Sequence, residues 1–142
     1  MVNKSKAIGT AGETAVVKYL AANGFGLAER RALRGAADVG DVLVCPGVIA
    51  EVKAGEKAKN FRQSQLERWM DETRKERGNA GADLALLVVQ RRDYGGPNAG
   101  WWWTWMTPLP LPEITAVDGW QAWWPLSDAV RWLRGQGWGD PL

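Results

Sequence analysis

Three charged residues lie in a stretch that otherwise has the composition of buried β-structure. Asp41 precedes the apolar run at residues 42–45, and Glu51 and Lys53 close the run at residues 48–53. Because alternate residues of a strand project from the same face, Glu51 and Lys53 share one side of a sheet. Charged groups on a buried strand are costly unless they pair or bind a ligand. An Asp, a Glu and a Lys that meet at one point have the chemistry to hold a divalent cation and a water beside a phosphate.

The turn between the two runs decides whether Asp41 reaches Glu51 and Lys53. A plain two-residue Pro46-Gly47 loop would place Asp41 on the opposite face of the sheet. One extra residue in the loop, or a bulge, would set Asp41 opposite Lys53 and return it to the shared face. The fixed φ of proline also suits the primed two-residue turns poorly. We therefore predict a longer loop or a β-bulge at residues 45–48.

The composition limits which kinds of chemistry are available. The chain has 142 residues, which is long enough for one domain. Because it has no His and only one Cys, it can form no Ser-His-Asp triad, Cys-His dyad, His or Cys zinc site or internal disulfide. Any metal must be a hard cation held by oxygen, which favours Mg²⁺ or Mn²⁺. The net charge of +2 is too small to indicate a polyanionic partner by itself. We see no membrane span or signal-peptide pattern, and expect a cytoplasmic protein.

The order of apolar patterns predicts an α/β fold with a mixed sheet flanked by helices. We expect one domain over 1–142, with a core at about 6–106, a Trp-rich C-terminal extension at about 107–142 and a frayed end at 135–142. The predicted helices are 5–23, 61–77 and 127–134, and the predicted strands are 25–32, 42–45, 48–52, 82–90 and 101–106. The continuous apolar run at 82–90 indicates a central strand covered on both faces, and the helix before it makes that strand parallel to an earlier one.

Other charged residues could complete a site around the three. Glu13 lies at the edge of the apolar stripe of the first helix, from which a carboxylate can reach over a sheet end; a solvated side chain is the alternative. Asp38 is a rival to Asp41, but the residues that follow it favour a strand less strongly. The mixed charges of the helix at 61–77 are assigned to a solvated face. Candidate phosphate-binding residues, each with a solvated surface position as its alternative, are Arg30, Arg31, Arg34, Lys57, Lys59, Arg62 and Gln65.

Ten tryptophans are the unusual feature of the composition, and several lie in the strand at 101–106. Bulky aromatic residues are favoured in strands, so core packing is the leading interpretation. Stacking on nucleic-acid bases and a subunit interface are the alternatives.

The pattern Glu13, Gly40-Asp41 and Glu51-Val52-Lys53 resembles the PD-(D/E)XK nucleases over roughly residues 6–90, with Gly40 replacing the proline of the motif. Within that superfamily the chain looks most similar to the small Holliday junction resolvases of archaea and bacteriophages. The resemblance implies a restriction-endonuclease-like αβββαβ core.

The resemblance also implies roles for individual residues. Asp41, Glu51 and the backbone carbonyl of Val52 would hold Mg²⁺, with Mn²⁺ as a substitute, and Glu13 would complete the metal shell. Lys53 would orient or activate the attacking water. The implied protein is a homodimeric endonuclease that cuts branched DNA, away from membranes, in the cytoplasm of the host if it is phage-encoded.

Three alternatives stay open at this point. The same fold could act on flaps, ends or single strands of DNA. The chain could be a DNA-binding module that has lost catalysis. Glu51 and Lys53 could be a purely structural ion pair, which would leave Asp41 and Glu13 without an explanation.

Overall fold

A six-stranded mixed sheet with helices on both faces organises the chain in this computed structural model. The structure describes residues 4–31, 40–108, 116–117, 120–121 and 124–142. The helices are α1 (Lys4–Ala22), α2 (Glu56–Lys59), α3 (Gln63–Ala80) and α4 (Leu126–Gly135), with a 3₁₀ helix at Gly96–Trp101. The strands are β1 (Glu29–Arg30), β2 (Val42–Cys45), β3 (Val48–Lys53), β4 (Leu84–Val89), β5 (Trp103–Thr107), β6 (Ala116–Val117), β7 (Trp120–Gln121) and β8 (Trp124–Pro125).

The strands follow the order β1-β2-β3-β4-β5-β8 across the sheet, and β6 and β7 form a separate two-stranded ribbon. Strands β1 to β3 are an antiparallel meander, β3 and β4 are parallel, and β5 and β8 return antiparallel. The parallel pair is joined by the crossover through α2 and α3, because parallel strands cannot be linked by a tight turn. The predicted α/β class, mixed sheet and parallel relation are confirmed.

The sheet is covered on both sides, which explains the continuous apolar sequence of β4. Alternate residues of β3 and β4, including Ala50 and Leu86, join Val16 of α1 and Leu133 of α4 in one core. The intervening residues of β4 face the other way and form a second core with α2 and α3, from residues Leu87, Val89, Ala58, Leu66 and Trp105. Every residue of β4 is consequently buried. Within the described residues no helix has the length and apolar character needed to cross a bilayer.

Several predicted boundaries are wrong for local reasons. The strand predicted at 25–32 is only two residues long, at Glu29–Arg30. The helix predicted from residue 61 begins at Gln63, because Asn60 ends the short helix α2 and its side chain donates a hydrogen bond to the Glu56 carbonyl. Ile8, predicted to lie on the buried stripe of α1, is 39% exposed.

The C-terminal segment is tied to the body of the protein, so the prediction of a frayed end is wrong. The guanidinium Nη1 of Arg134 donates to the carbonyl oxygens of Gly24, Trp138 and Asp140 at 3.2, 3.0 and 2.6 Å. The Asp140 amide donates to the Gly24 carbonyl at 2.8 Å, and the Asp140 carboxylate accepts from the Gly26 amide at 2.9 Å. This segment thereby fixes the turn that follows α1.

Candidate active site

The register between β2 and β3 places Asp41 on the same face as Glu51 and Lys53. A bulge between Leu43 and Cys45 shifts the pairing, so that Val42 lies opposite Ala50. The carboxyl group of Asp41, the residue before Val42, contacts that of Glu51, so Asp41 lies on the face that Glu51 and Lys53 share. A bulge is therefore present as predicted, but it lies at residues 43–45 and not at the predicted 45–48.

The turn itself and the exact register differ from the prediction. Cys45 pairs with Val48, so the Pro46-Gly47 turn has two residues, and Asp41 does not oppose Lys53 as predicted. A tight turn alone would place Asp41 on the opposite face of the sheet from Glu51 and Lys53. Because the bulge adds one residue to β2, it returns Asp41 to the face of those two residues.

Asp41 is held by the backbone of β3 at the start of β2. Its Oδ2 accepts a hydrogen bond from the Val52 amide at 2.9 Å, and its own amide donates to the Ala50 carbonyl at 3.1 Å. The preceding Gly40 has a φ of +95°, a conformation closed to proline and unfavourable for other side chains. This backbone explains why glycine stands where the resembled motif has proline.

Glu51 is a buried acid that faces Asp41 from the neighbouring strand. Its residue surface is 5% exposed, and its Oε1 lies 3.4 Å from the Nζ of Lys53. Its Oε2 is buried and receives no hydrogen bond from any donor in the described part of the chain. A buried carboxylate oxygen without a donor is costly, so this atom is suited to a proton or a cation.

Burial and mutual proximity raise the pKa of both acids. Desolvation, followed by contact with Glu51, raises the pKa of Asp41 to about 8. Desolvation, followed by contact with Glu76, raises the pKa of Glu51 to about 8. Because the two carboxyl groups interact directly, they titrate as a coupled pair.

Lys53 stands beside this pair as a cation. Burial opposes its charge, but the carboxylates of Glu51, Glu72 and Asp41 outweigh burial and raise the pKa of Lys53 above its ordinary value. Its Nζ lies 3.4 Å from Glu72 Oε2 and 5.8 Å from the ring centroid of Trp69. Lys53 is therefore charged at neutral pH and fixed between β3 and α3.

Two acids of α3 belong to this cluster although the sequence analysis assigned the charges of that helix to solvent. Glu76 is 4% exposed and its carboxyl group contacts that of Glu51, while Glu72 pairs with Lys53. The helical spacing of Leu66, Thr73 and Glu76 is the signal that could have placed Glu76 on the buried face.

Glu13 approaches the cluster but is directed to a different partner. Its Oε2 lies 3.2 Å from the Nε of Arg30, and that guanidinium also contacts Thr10 at 3.4 Å. Burial and the nearby charge of Asp41 raise the pKa of Glu13, whereas Arg30 acts in the opposite direction. The structure thus places Glu13 within electrostatic reach of Asp41 but in an ion pair across α1 and β1.

The first group of candidate phosphate-binding residues lies on the β1 side. Arg30 is engaged by Glu13, and Arg31 is half-buried and donates its amide to the Asp41 carbonyl at 2.8 Å. Arg34, and the rival acid Asp38, lie outside the described residues.

The second group lies at the start of the crossover. Lys57 and Arg62 are exposed, and Lys59 pairs with Glu56 at 3.4 Å. The side-chain Oε1 of Gln65 accepts a hydrogen bond from the Arg62 amide, which caps α3. Lys57 and Arg62 are consequently the better placed of these residues to meet a phosphate.

The acids were tested as ligands for the cation that the resemblance implies. In the described ranges no three Asp, Glu, His or Cys side chains are arranged to hold a metal ion. Mg²⁺, however, is commonly bound by one or two carboxylates, with water and substrate phosphate completing its shell. Asp41 and Glu51, with the donorless Oε2 of Glu51, fit that mode of binding.

No protein-family model, curated protein or solved structure matches this chain. The geometry of the cluster is consequently what indicates a function for this chain.

Proposed function

We propose that the chain is a metal-dependent endodeoxyribonuclease with a restriction-endonuclease-like core. The observation that carries the proposal is a pair of acids in contact, the half-buried Asp41 and the buried Glu51, that faces the charged Lys53 at the carboxyl end of β3. Ligand sites in α/β sheets lie at the carboxyl ends of parallel strands, and β3 and β4 are the parallel pair of this sheet.

Asp41 and Glu51, aided by the Val52 carbonyl and by Glu13, would hold Mg²⁺ or Mn²⁺. When bound, such a cation supplies Lewis-acid polarisation of a phosphodiester and activation of water. The Val52 amide keeps the Asp41 carboxylate oriented toward the site, because it binds Oδ2 at 2.9 Å. Glu13 would join if Arg30 turned from the carboxylate to a DNA phosphate.

Lys53 acts on the charge that develops at the phosphate. Its Nζ is held by Glu51 and Glu72 at 3.4 Å each, so the ammonium is positioned before substrate arrives. A fixed cation at a developing oxyanion stabilises the transition state more than water does, because little reorganisation is needed. Lys53 would also orient the attacking water.

Branched DNA is the proposed substrate, on the strength of the resemblance to Holliday junction resolvases. Symmetric cleavage of two DNA strands requires two active sites, which a two-fold homodimer provides. Exposed Lys57 and Arg62 would contact the backbone of DNA. A DNA-binding module without catalysis, or a merely structural ion pair, gives no reason to keep two acids buried against each other.

The experiment is cleavage of end-labelled DNA by the wild-type protein with Mg²⁺ and with EDTA. The panel contains a four-way junction, a flap, a single strand and a linear duplex that share one sequence. Paired nicks on the junction alone, abolished by EDTA, support the resolvase. Cleavage of the other DNA forms as well would support a nuclease but contradict specificity for the junction. Tight binding of DNA without any cleavage would favour the binding module.

A further inference from the structure

A stack of planar side chains runs from β5 toward the surface. The guanidinium carbon of Arg91 lies 3.9 Å from the ring centroid of Trp103 and 5.0 Å from that of Tyr94. The ring of Tyr94 stacks on that of Trp101, with centroids 5.8 Å apart and 28° between the planes. Each member contacts the next, and the last one is Trp101.

Trp101 is the member of the stack that water reaches most easily. It is 51% exposed, whereas Trp102 and Trp105 are 1% and 4% exposed and belong to the core. Among the exposed large hydrophobic side chains of the described residues, Trp101 is the only aromatic one. Core packing therefore explains Trp102 and Trp105 but does not explain Trp101.

The backbone that carries Trp101 is held firmly. The indole Nε1 of Trp102 donates to the Tyr94 carbonyl at 2.8 Å, and the Trp102 amide donates to the Ala99 carbonyl at 2.9 Å. Gly100 packs so closely on Tyr19 that a Cβ there would lie 2.7 Å from the ring. A ring held in this way loses little conformational entropy when a flat ligand stacks on it.

The stack begins close to the proposed active site. Lys53, Val89 and Trp103 are paired residues of the adjacent strands β3, β4 and β5, and they share one face of the sheet. Because neighbouring strands lie about 4.8 Å apart, the backbone of Trp103 is about 10 Å from that of Lys53. Arg91, which follows β4 at this same end, lies within the stack, so the approach to Trp101 also carries positive charge.

We propose that Trp101 stacks with an unpaired base of the DNA strand that occupies the active site. This inference rests on the proposed nuclease function and narrows its substrate to DNA that carries unpaired nucleotides. Every base has a flat face, so an aromatic side chain binds bases with little sequence preference. Bases inside a duplex are stacked on each other and are not available to the indole ring.

The test measures DNA binding in the Asp41→Asn background with Mg²⁺ present, by fluorescence anisotropy. One probe is a duplex with a single-stranded arm, and the other is a fully paired duplex of equal length. Trp101→Leu keeps an apolar side chain but removes the stacking ring, and Trp101→Phe keeps a smaller ring. We expect Trp101→Leu to bind the armed DNA about 10-fold more weakly and Trp101→Phe to retain most of the affinity. Binding of the paired duplex should change less than about 2-fold in both variants.

A second readout locates the contact. The fluorescence of 2-aminopurine placed at the first unpaired position should be quenched by the parent protein and by Trp101→Phe, but not by Trp101→Leu. Equal weakening for both probes, or no change in either probe, would overturn the inference and leave the nuclease proposal intact if the wild type cleaves DNA. If Trp101→Leu converts a dimeric protein to a monomer without a change in its affinity for DNA, Trp101 belongs to a subunit contact instead. A wild type that neither binds nor cuts DNA would remove both proposals.

Discussion

The contacting carboxyl groups of Asp41 and Glu51 make the folded, metal-free protein bind protons more tightly than the unfolded chain. Both pKa values are about 8 in the folded state, against ordinary values of 3.8 and 4.5. A raised acid pKa stabilises the fold at low pH, and that stabilisation is lost as pH rises from about 4 through 8. The free energy of unfolding should fall in this window by about 1.4 kcal/mol per pH unit for each proton held.

Urea unfolding in EDTA at pH 5, 6 and 7 measures this slope. Asp41→Asn removes one titrating group and should reduce the slope by about one proton, or about 1.4 kcal/mol per pH unit. The control Asp71→Asn changes an exposed acid of α3 and should keep the slope of the wild type. Equal slopes in all three proteins would contradict a raised pKa at Asp41.

At the scale of single residues, the sequence predicts the part of the cluster that lies on strands. Asp41, Glu51 and Lys53 stand out because charges interrupt apolar runs with a period of two. The buried position of Glu76 was not predicted, because Glu76 lies among many charged residues. Its helical spacing from Leu66 and Thr73 is the only signal that it faces the core. The ion pair of Glu13 with Arg30 joins residues 17 apart, and sequence spacing does not specify it.

At the scale of elements, α1 can contact the end of β3 only because residue 12 is a glycine and has no side chain. A Cβ on Gly12 would lie 2.5 Å from the Cβ of Ala54, whereas a Cβ on Gly9 meets nothing within 4 Å. Gly12→Ala should destabilise the protein by about 1–3 kcal/mol, because α1 must move away from the sheet. Gly9→Ala in the same helix should stabilise it by up to about 1 kcal/mol through helix propensity.

Chemical denaturation of Gly12→Ala and Gly9→Ala separates the cost of the packing clash from the gain in helix propensity. Because Glu13 follows Gly12 directly, Gly12→Ala should also slow cleavage if Glu13 acts at the site. Destabilisation of similar size in both variants would mean that α1 does not pack on β3 as described.

The elements were more predictable than their ends. Helix and strand types followed from periodicity, but β1 is shorter than predicted. Helix α3 starts late because local hydrogen bonds of Asn60 and Arg62 decide where it begins. The bulge was predictable because the face of Asp41 required it, yet its position and the register were not. Both depend on which backbone groups pair, and the apolar pattern allows more than one choice.

At the scale of the whole molecule, the last residues close the fold onto the turn after α1. Arg134 donates to three carbonyl oxygens, those of Gly24, Trp138 and Asp140. Arg134→Ala should lower the free energy of unfolding by about 2 kcal/mol, because partly buried carbonyls lose a charged donor. The control Arg131→Ala, whose side chain is 81% exposed, should change it by less than about 0.5 kcal/mol.

Thermal and urea unfolding of both arginine variants measure this difference. An effect of equal size at the two positions would contradict a tied C-terminus. Sequence analysis could not predict this closure, since it joins residues 110 apart through backbone carbonyls that any sequence provides.

The central prediction for this molecule is that the pair of Asp41 and Glu51 supports metal-dependent cleavage of DNA. The most direct measurement is the Mg²⁺-dependent cleavage rate of the best DNA substrate by the wild type, Asp41→Asn and the surface control Asp71→Asn. We expect a loss of at least about 100-fold for Asp41→Asn, similar to the loss of other groups that act on the transition state, and a wild-type rate for Asp71→Asn. Cleavage by Asp41→Asn at the rate of the wild type, with the fold intact, would contradict the claim.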